Sequence, residues 1–384
     1  MDHYDWKSTI KINLFLLRLI GLWPKGEEGY KMGLYMLYAS FLLITFVFPL
    51  VFLQSINIYF IRTNVAAVAG TFYILLVEML LISKVYYLIT NMSVLKQLLS
   101  ILDTEMFQPK NSVQILEIES NIHVWKLIYK TFAYSCFSVN IFWAVYPLFD
   151  ETDRRLPFIA WYPYDTKITP FYEITYLHQI LSLSFITTIH VNVDALAAAL
   201  NVFNGSQFDI LEDNLKNLHK LEKNGMVDVK QNLTYCVSHH KHILSFADKC
   251  NKYLNWILFL QFFICGIAIG MTMFQLTLVV SFSTEFNAYL TYGIAITMQV
   301  FMYSWFGNEV KMKSSKVSYA LFECEWIDFS QNVKKDLLFF IMRLQKPVEL
   351  SAFNLFYLTL ETFMKIMKTA WSYFALLHQV NTLQ

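Results

Sequence analysis

From Met32 to Ile61 the chain carries no charged side chain. Five further runs have the same character: Thr63 to Ser83 with only Glu78, Thr131 to Phe149, Ile174 to Val193, Tyr253 to Thr284, and Phe286 to Asn308. An α-helix rises 1.5 Å per residue, so about 20 apolar residues cross the ~30 Å hydrocarbon core of a bilayer. Six runs meet that length. The whole sequence agrees, with 56% of its 384 residues hydrophobic and 15% charged, against about 25% charged in soluble domains. A net charge of +1 offers neither a basic field for nucleic acid nor an acidic tail.

A seventh run, Ser351 to Gln379, is apolar in outline but carries Glu361, Lys365 and Lys368. Charges at bilayer depth cost roughly 2.5–3.5 kcal/mol each, so they must face protein or water. Glu361 and Lys365 stand four apart and can pair on one helix face. A spanning helix with such a stripe suits a pore or an internal vestibule. The chain therefore reads as an all-α membrane protein of seven transmembrane helices.

Charge placement orients it. Lys7, Lys11, Arg18, Lys25 and Lys31 precede the first span, and Lys96 and Lys110 follow the second. Lysines crowd residues 205–252 and 309–350, whereas the opposite side holds only Arg62, Arg154, Arg155 and Lys167. By the positive-inside rule the N-terminus is cytosolic and the C-terminus extracellular. The sequons at Asn91, Asn204 and Asn232 then lie on the cytosolic side, out of reach of glycosylation.

The single expected domain divides into a cytosolic N-terminal segment (1–31), spans one to four (32–204), a cytosolic helical segment (205–252), spans five and six (253–308), a cytosolic helix (309–350) and span seven (351–380). Ile12 to Trp23 is too short to cross and reads as an amphipathic helix on the inner membrane face. The cytosolic segments show apolar residues at helical spacing, such as Leu211, Leu215 and Leu218. They read as helices extending the spans inward, and their unpartnered apolar faces imply an oligomeric anchor. None of the five cysteines falls in a predicted extracellular loop, which argues against disulfides. Cys236, His239, His240 and His242 are of metal-ligating types but lack a second cysteine pair or a carboxylate set. They read as imidazoles on a polar cytosolic helix, so no metal site and no cofactor is assigned.

Seven spans also describe a G-protein-coupled receptor, but its N-terminus would be outside, and neither Asp-Arg-Tyr nor Asn-Pro-x-x-Tyr stands where that family needs it. A secondary transporter would show paired helix interruptions, whereas Pro49 is isolated and Gly266 with Gly270 is a lone packing signal. No phosphate-binding glycine loop and no catalytic constellation is present, so no enzyme is assigned. A channel subunit fits the polar stripe of span seven.

The C-terminal third adds a resemblance. Tyr303-Ser-Trp-Phe-Gly307-Asn308-Glu309, then Ala320 and Trp326, Arg343-Leu-Gln345-Lys346-Pro347, Leu358-Thr-Leu-Glu361-Thr-Phe363 and Ser372-Tyr373 resemble the signature of insect odorant receptors. Arg155-Leu-Pro157, Trp161-Tyr-Pro163 and Tyr176 with Gln179 fit the same family. The segment between spans four and five is too short for the shared coreceptor, so the chain resembles a ligand-tuning subunit. Ser372, Tyr373 and Gln379 also echo the final motif of gustatory receptors, which keeps a gustatory-type channel as the alternative.

The resemblance implies a ligand-gated, nonselective cation channel, a heterotetramer formed with the coreceptor in the plasma membrane of olfactory neuron dendrites. It implies a volatile ligand in the outer half of the bundle. The matching positions are Ala69, Phe72 and Tyr73 in span two; Ser138, Phe142, Val145 and Tyr146 in span three; His178, Gln179, Leu183 and Ile186 in span four; and Tyr289 and Tyr292 in span six. Alignment through the last motif places Leu376 at an apolar gate and Gln379 in a second ring. Lys365 and Lys368 stand where the coreceptor has small residues, and are expected to pair or to turn toward neighbouring helices.

Overall fold

The computed structural model describes residues 3–26, 29–30, 33–149, 154–219 and 228–382. Lys31, Met32 and the positions expected at 150–153, 220–227 and 383–384 lie outside the described residues. Two short helices, α1 (Trp6–Thr9) and α2 (Lys11–Leu19), are followed by α3 (Leu34–Phe46), α4 (Phe48–Ile61), α5 (Val65–Thr90) and α6 (Met92–Ile101). The long helices α7 (Ser112–Val145), α8 (Phe171–Lys216), α9 (Val229–Leu278) and α10 (Thr284–Glu323) form the body. Helix α11 (Gln331–Leu344), a minimal hairpin of β1 (Ser351–Ala352) and β2 (Phe356–Tyr357), and α12 (Leu360–Thr382) complete the chain.

Among the described residues, five helical stretches are long and apolar enough to cross a membrane: Leu34–Ile61, Ala67–Thr90, Ser112–Phe149, Phe171–Lys216 and Val229–Leu278. The other two expected spans fall in α10 and α12, whose composition is more polar. In α10 the cause is Tyr292, Gln299 and Tyr303, which turn into the bundle rather than outward. In α12 it is Glu361, Lys365 and Lys368.

The first span is bent at Val47, between α3 and α4. Pro49 has no N–H to give the carbonyl of Thr45, and His178 of α8 approaches that oxygen at 2.9 Å instead. The seventh run is divided. Ser351 to Tyr357 pairs as the hairpin, Ser351 opposite Tyr357 and Ala352 opposite Phe356, so the helix begins at Leu360 rather than 351. The hairpin is held by α9, where Asn251 accepts from the Ser351 N–H at 2.8 Å and Asn255, one turn on, from the Phe353 N–H at 2.5 Å. The remaining 23 residues of α12 still measure about 34 Å.

Helix α9, at 50 residues, is about 75 Å long, more than twice a bilayer core. It, α7, α8 and α10 therefore project together from one end of the bundle, with α6 and α11 packed beside them. From the cavity into that extension α8 is buried on every side, Ile189 to Phe208. Asp209 accepts from Lys313 Nζ at 2.5 Å and from Asn121 at 2.7 Å, tying α8 to α10 and α7. Burial pushes the Asp209 carboxyl up while Lys313 and Asn121 draw it back.

The histidine cluster on α9 differs from the sequence expectation of a polar face. His239 is buried against Phe107 and 3.1 Å from Gln207 Oε1, and His240 packs on Phe340. Burial depresses His239 to about 3, with Lys110 contributing, and His240 to about 4, so both are neutral at physiological pH. Helix α2 packs on α8, its Asn13 donating to Asn192 at 3.2 Å, and exposes Ile12, Phe15 and Leu19.

Helix α12 lies against α9 through the two glycines that the sequence left as a lone signal. A Cβ at Gly270 would stand 2.7 Å from the Ala370 carbonyl oxygen and 2.9 Å from Tyr373 Cβ. Backbone cannot yield as a flexible side chain can, and such overpacking costs about 1–3 kcal/mol. Gly270→Ala is expected to lower the thermal midpoint of the solubilised protein by several degrees, read by fluorescence-detected size exclusion. An unchanged midpoint would mean that α12 does not pack here.

Candidate ligand cavity and final helix

Four helices line a cavity of about 90 Å³. Helix α5 contributes Ile74, Val77 and Glu78, and α7 contributes Phe132, Cys136, Val139 and Trp143. Helix α8 adds Leu183, Ile186, Thr187 and His190, and α10 adds Tyr292, Ala295, Ile296 and Gln299, while Phe158 closes it from the 154–170 loop. The intervals of three and four on each helix are those of a single face. An apolar cavity of about 150 Å³ takes up benzene, so this one suits a compact molecule unless its side chains shift.

A wider vestibule of about 490 Å³ lies toward the loop, lined by Gly70, Thr71, Tyr146 and Tyr289 among others. Ile74, Trp143 and Phe158 line both spaces. The Trp143 and Phe158 rings stack at 4.8 Å and 17°, forming the partition between them. Gln179 fixes that partition, accepting from the Phe158 N–H at 2.9 Å and donating to the Phe158 carbonyl at 3.1 Å and the Tyr162 hydroxyl at 2.9 Å.

Of the positions singled out from sequence, Leu183, Ile186 and Tyr292 stand on the cavity wall. Tyr73 lies one layer behind, its ring 5.2 Å from that of Tyr292 and 6.4 Å from that of Tyr289. Tyr289 and Tyr146 line the vestibule, where the Tyr146 hydroxyl lies 2.9 Å from the Pro157 carbonyl. His178 faces α3 and stacks on Phe46. Ser138, Phe142 and Val145 lie off the cavity, since the wall of α7 is Cys136, Val139 and Trp143. One position on a helix is about 100°, and an uncharged run offers no polar face to set that angle. Ala69, buried, and Phe72, half-buried, stand nearer the loop than the wall residues of α5.

Below the cavity is a feature the sequence reading missed. Lys84 Nζ lies 2.5 Å from Asp194 Oδ1, and both side chains are 0% exposed. The Tyr303 hydroxyl donates to the same carboxylate at 2.7 Å, and Gln299 Nε2 donates to its Oδ2. Cys265 Sγ on α9 reaches Gln299 Oε1 at 3.6 Å. One carboxylate therefore gathers α5, α8, α9 and α10, and Gln299 joins it to the cavity wall. Lys84 and Asp194 each directly follow one of the apolar runs, a position that a count of spans passes over.

The final helix is two-sided. Thr362, Ile366 and Ala370 are buried, while Glu361, Lys365, Lys368, Ser372, Leu376 and Gln379, at intervals of three and four, share an exposed face. Leu376 is 59% exposed. Lys365 pairs with Glu361 at 2.6 Å. Lys368 has no ion-pair partner among the described residues and shares the face of Leu376, rather than turning to another helix of the chain. A buried ion left alone costs about 3–5 kcal/mol. Asp194→Asn is therefore expected to abolish most folded protein at the cell surface, and Lys84→Met with Asp194→Leu to restore much of it. Normal surface levels of the single variant would contradict a structural role for the pair.

Residues 64–371 match the family described as 7tm odorant receptor. Odorant receptor Or1 of Anopheles gambiae is 24% identical over 413 residues, which take in 99% of this chain and 97% of that one. Odorant receptor 46a, isoform A, of Drosophila melanogaster is 22% identical over 374 residues, covering 95% and 96%. The insect olfactory receptor OR5 of Machilis hrabei, solved in complex with eugenol, has a TM-score of 0.85 at 19% identity, covering 98% of this chain and 100% of that one. At that identity the likeness speaks for the fold. The family match over most of the chain, on a scaffold of membrane-length helices around an apolar cavity, makes this protein a member of the odorant receptor family.

Proposed function

We propose that the chain is the odorant-binding subunit of a ligand-gated, nonselective cation channel. It would assemble with the family's coreceptor as a heterotetramer in the plasma membrane of olfactory neuron dendrites. The observation that carries this reading is the pairing of two features on one scaffold. One is a mainly apolar cavity among α5, α7, α8 and α10. The other is a helix, α12, whose exposed face carries charges that lipid would not tolerate. The relative solved with eugenol supports a small organic ligand.

In this reading the helical extension is cytosolic, in keeping with its lysines, and the 154–170 loop is outside. Ala69, Phe72, Tyr73, Tyr146, Gln179, Tyr289 and Tyr292 would shape the entrance and upper wall. Leu183 and Ile186 would face the ligand, while Ser138, Phe142, Val145 and His178 would act through packing. Leu376 would form the gate, an apolar ring that closes by dewetting, with Gln379 as the ring beyond it.

A ligand opens the pore only as far as it favours the open arrangement. Occupancy presses on α10, which bears Tyr292 and Gln299. The same helix touches α12 through Phe301 and Phe363, whose rings are 5.7 Å apart, so displacement of α10 moves the helix that bears Leu376. Coexpression with the coreceptor tests the reading. Volatiles should evoke cation current, and Leu376→Asn should raise the ligand-free leak several-fold by wetting the constriction. Unaltered leak and gating with Asn at 376 would refute the gate, and the absence of current to any volatile would refute the receptor.

A further inference from the structure

We infer that the cavity selects compact amines, with Glu78 as the side chain that recognises the amino nitrogen. This rests on the reading of the cavity as the odorant site and names its ligand class. Glu78 lines the cavity from α5 and is 4% exposed. Its Oε1 accepts from Gln54 Nε2 at 3.3 Å, while its Oε2 is buried and has no hydrogen-bond partner within the chain among the described residues. Among the described residues no lysine, arginine or histidine makes an ion pair with it: Lys84, off the wall, is taken by Asp194, and His190 is the basic side chain among the wall residues.

A buried carboxyl oxygen without a donor is a costly arrangement, relieved when a ligand brings the donor. The Tyr292 hydroxyl is likewise buried and unpartnered on the same wall. Around them stand the rings of Phe132, Trp143, Phe158 and Tyr292. Aromatic faces attract a cation as well as covering an apolar surface. An amine answers each of these: its N–H groups can reach Oε2 and the Tyr292 hydroxyl oxygen, its charge meets the rings, and its carbon skeleton fills the remaining apolar wall. An alcohol supplies one hydrogen bond and no charge of its own, and a hydrocarbon neither. The volume of about 90 Å³ favours a small skeleton of a single ring or less.

The test records current from the full chain coexpressed with coreceptor, using three molecules of one shape: cyclopentylamine, cyclopentanol and methylcyclopentane. The amine is expected to act at the lowest concentration. A charge-assisted hydrogen bond is worth about 10- to 100-fold in affinity, so Glu78→Gln should raise the half-maximal concentration of the amine by that factor. The response to cyclopentanol should stay within about threefold. Glu78→Asp, which keeps the carboxylate, should hold most of the amine preference and stands in if the glutamine variant fails to reach the surface. An amine no more potent than the alcohol or the hydrocarbon on the native chain overturns the proposal. So does an amine response unmoved by Glu78→Gln. If the native channel answers other volatiles but none of these three, the amine assignment fails while the receptor reading stands. If no volatile evokes current, the receptor reading itself fails.

Discussion

The ion pair between Lys84 and Asp194 is the fixed point of this bundle. Two opposite charges, both fully shielded from solvent, can persist only if each finds its partner and the remaining lone pairs are used. Here they are, by Tyr303 and Gln299. Apolar side chains alone leave helices in a membrane free to slide and rotate, because lipid solvates them as well as a neighbour does. A carboxylate with three donors from two other helices does not allow that freedom. It sets the rotation of α5, α8 and α10 together, and so decides which residues face the cavity above it.

Gln299 gives the arrangement its functional interest. One side chain lines the cavity and donates to Asp194, so the volume available to a ligand and the registration of three helices are not independent. The upper boundary works differently. Trp143 and Phe158 are held by ring stacking and by Gln179 bonding to the loop, contacts that a helix–loop displacement can break and remake. A firm floor and a yielding roof suit a cavity that is entered from the loop side.

Much of the scaffold was legible in the sequence because its physical cause is written in single residues. Uncharged runs of bilayer length gave most of the helices, and Glu361 with Lys365 gave the two-sided final helix. The cavity was harder. Three wall positions, Leu183, Ile186 and Tyr292, were named from sequence, yet α7 was read one position out of phase, since a run with no polar face does not announce its angle. The start of α12 at Leu360 depended on Asn251 and Asn255 capturing the hairpin, a contact between segments 100 residues apart. Glu78 is the one charge in the second run, and its lack of an ion-pair partner among the described residues follows only from the packing of α4, α5, α7 and α10 around it.

The claim on which the account turns is that ligand occupancy of this cavity drives the final helix. Ala295 is buried on the cavity wall of α10, next to Ile296 and one turn from Tyr292 and Gln299. Odorant-evoked current from Ala295→Phe, measured beside surface assembly with the coreceptor, tests it most directly. A phenyl group there consumes most of a space of about 90 Å³. The account predicts assembled channels whose response to ligand is reduced at least tenfold in potency or is absent. Channels that assemble and respond at unchanged concentrations would place the ligand elsewhere and contradict it.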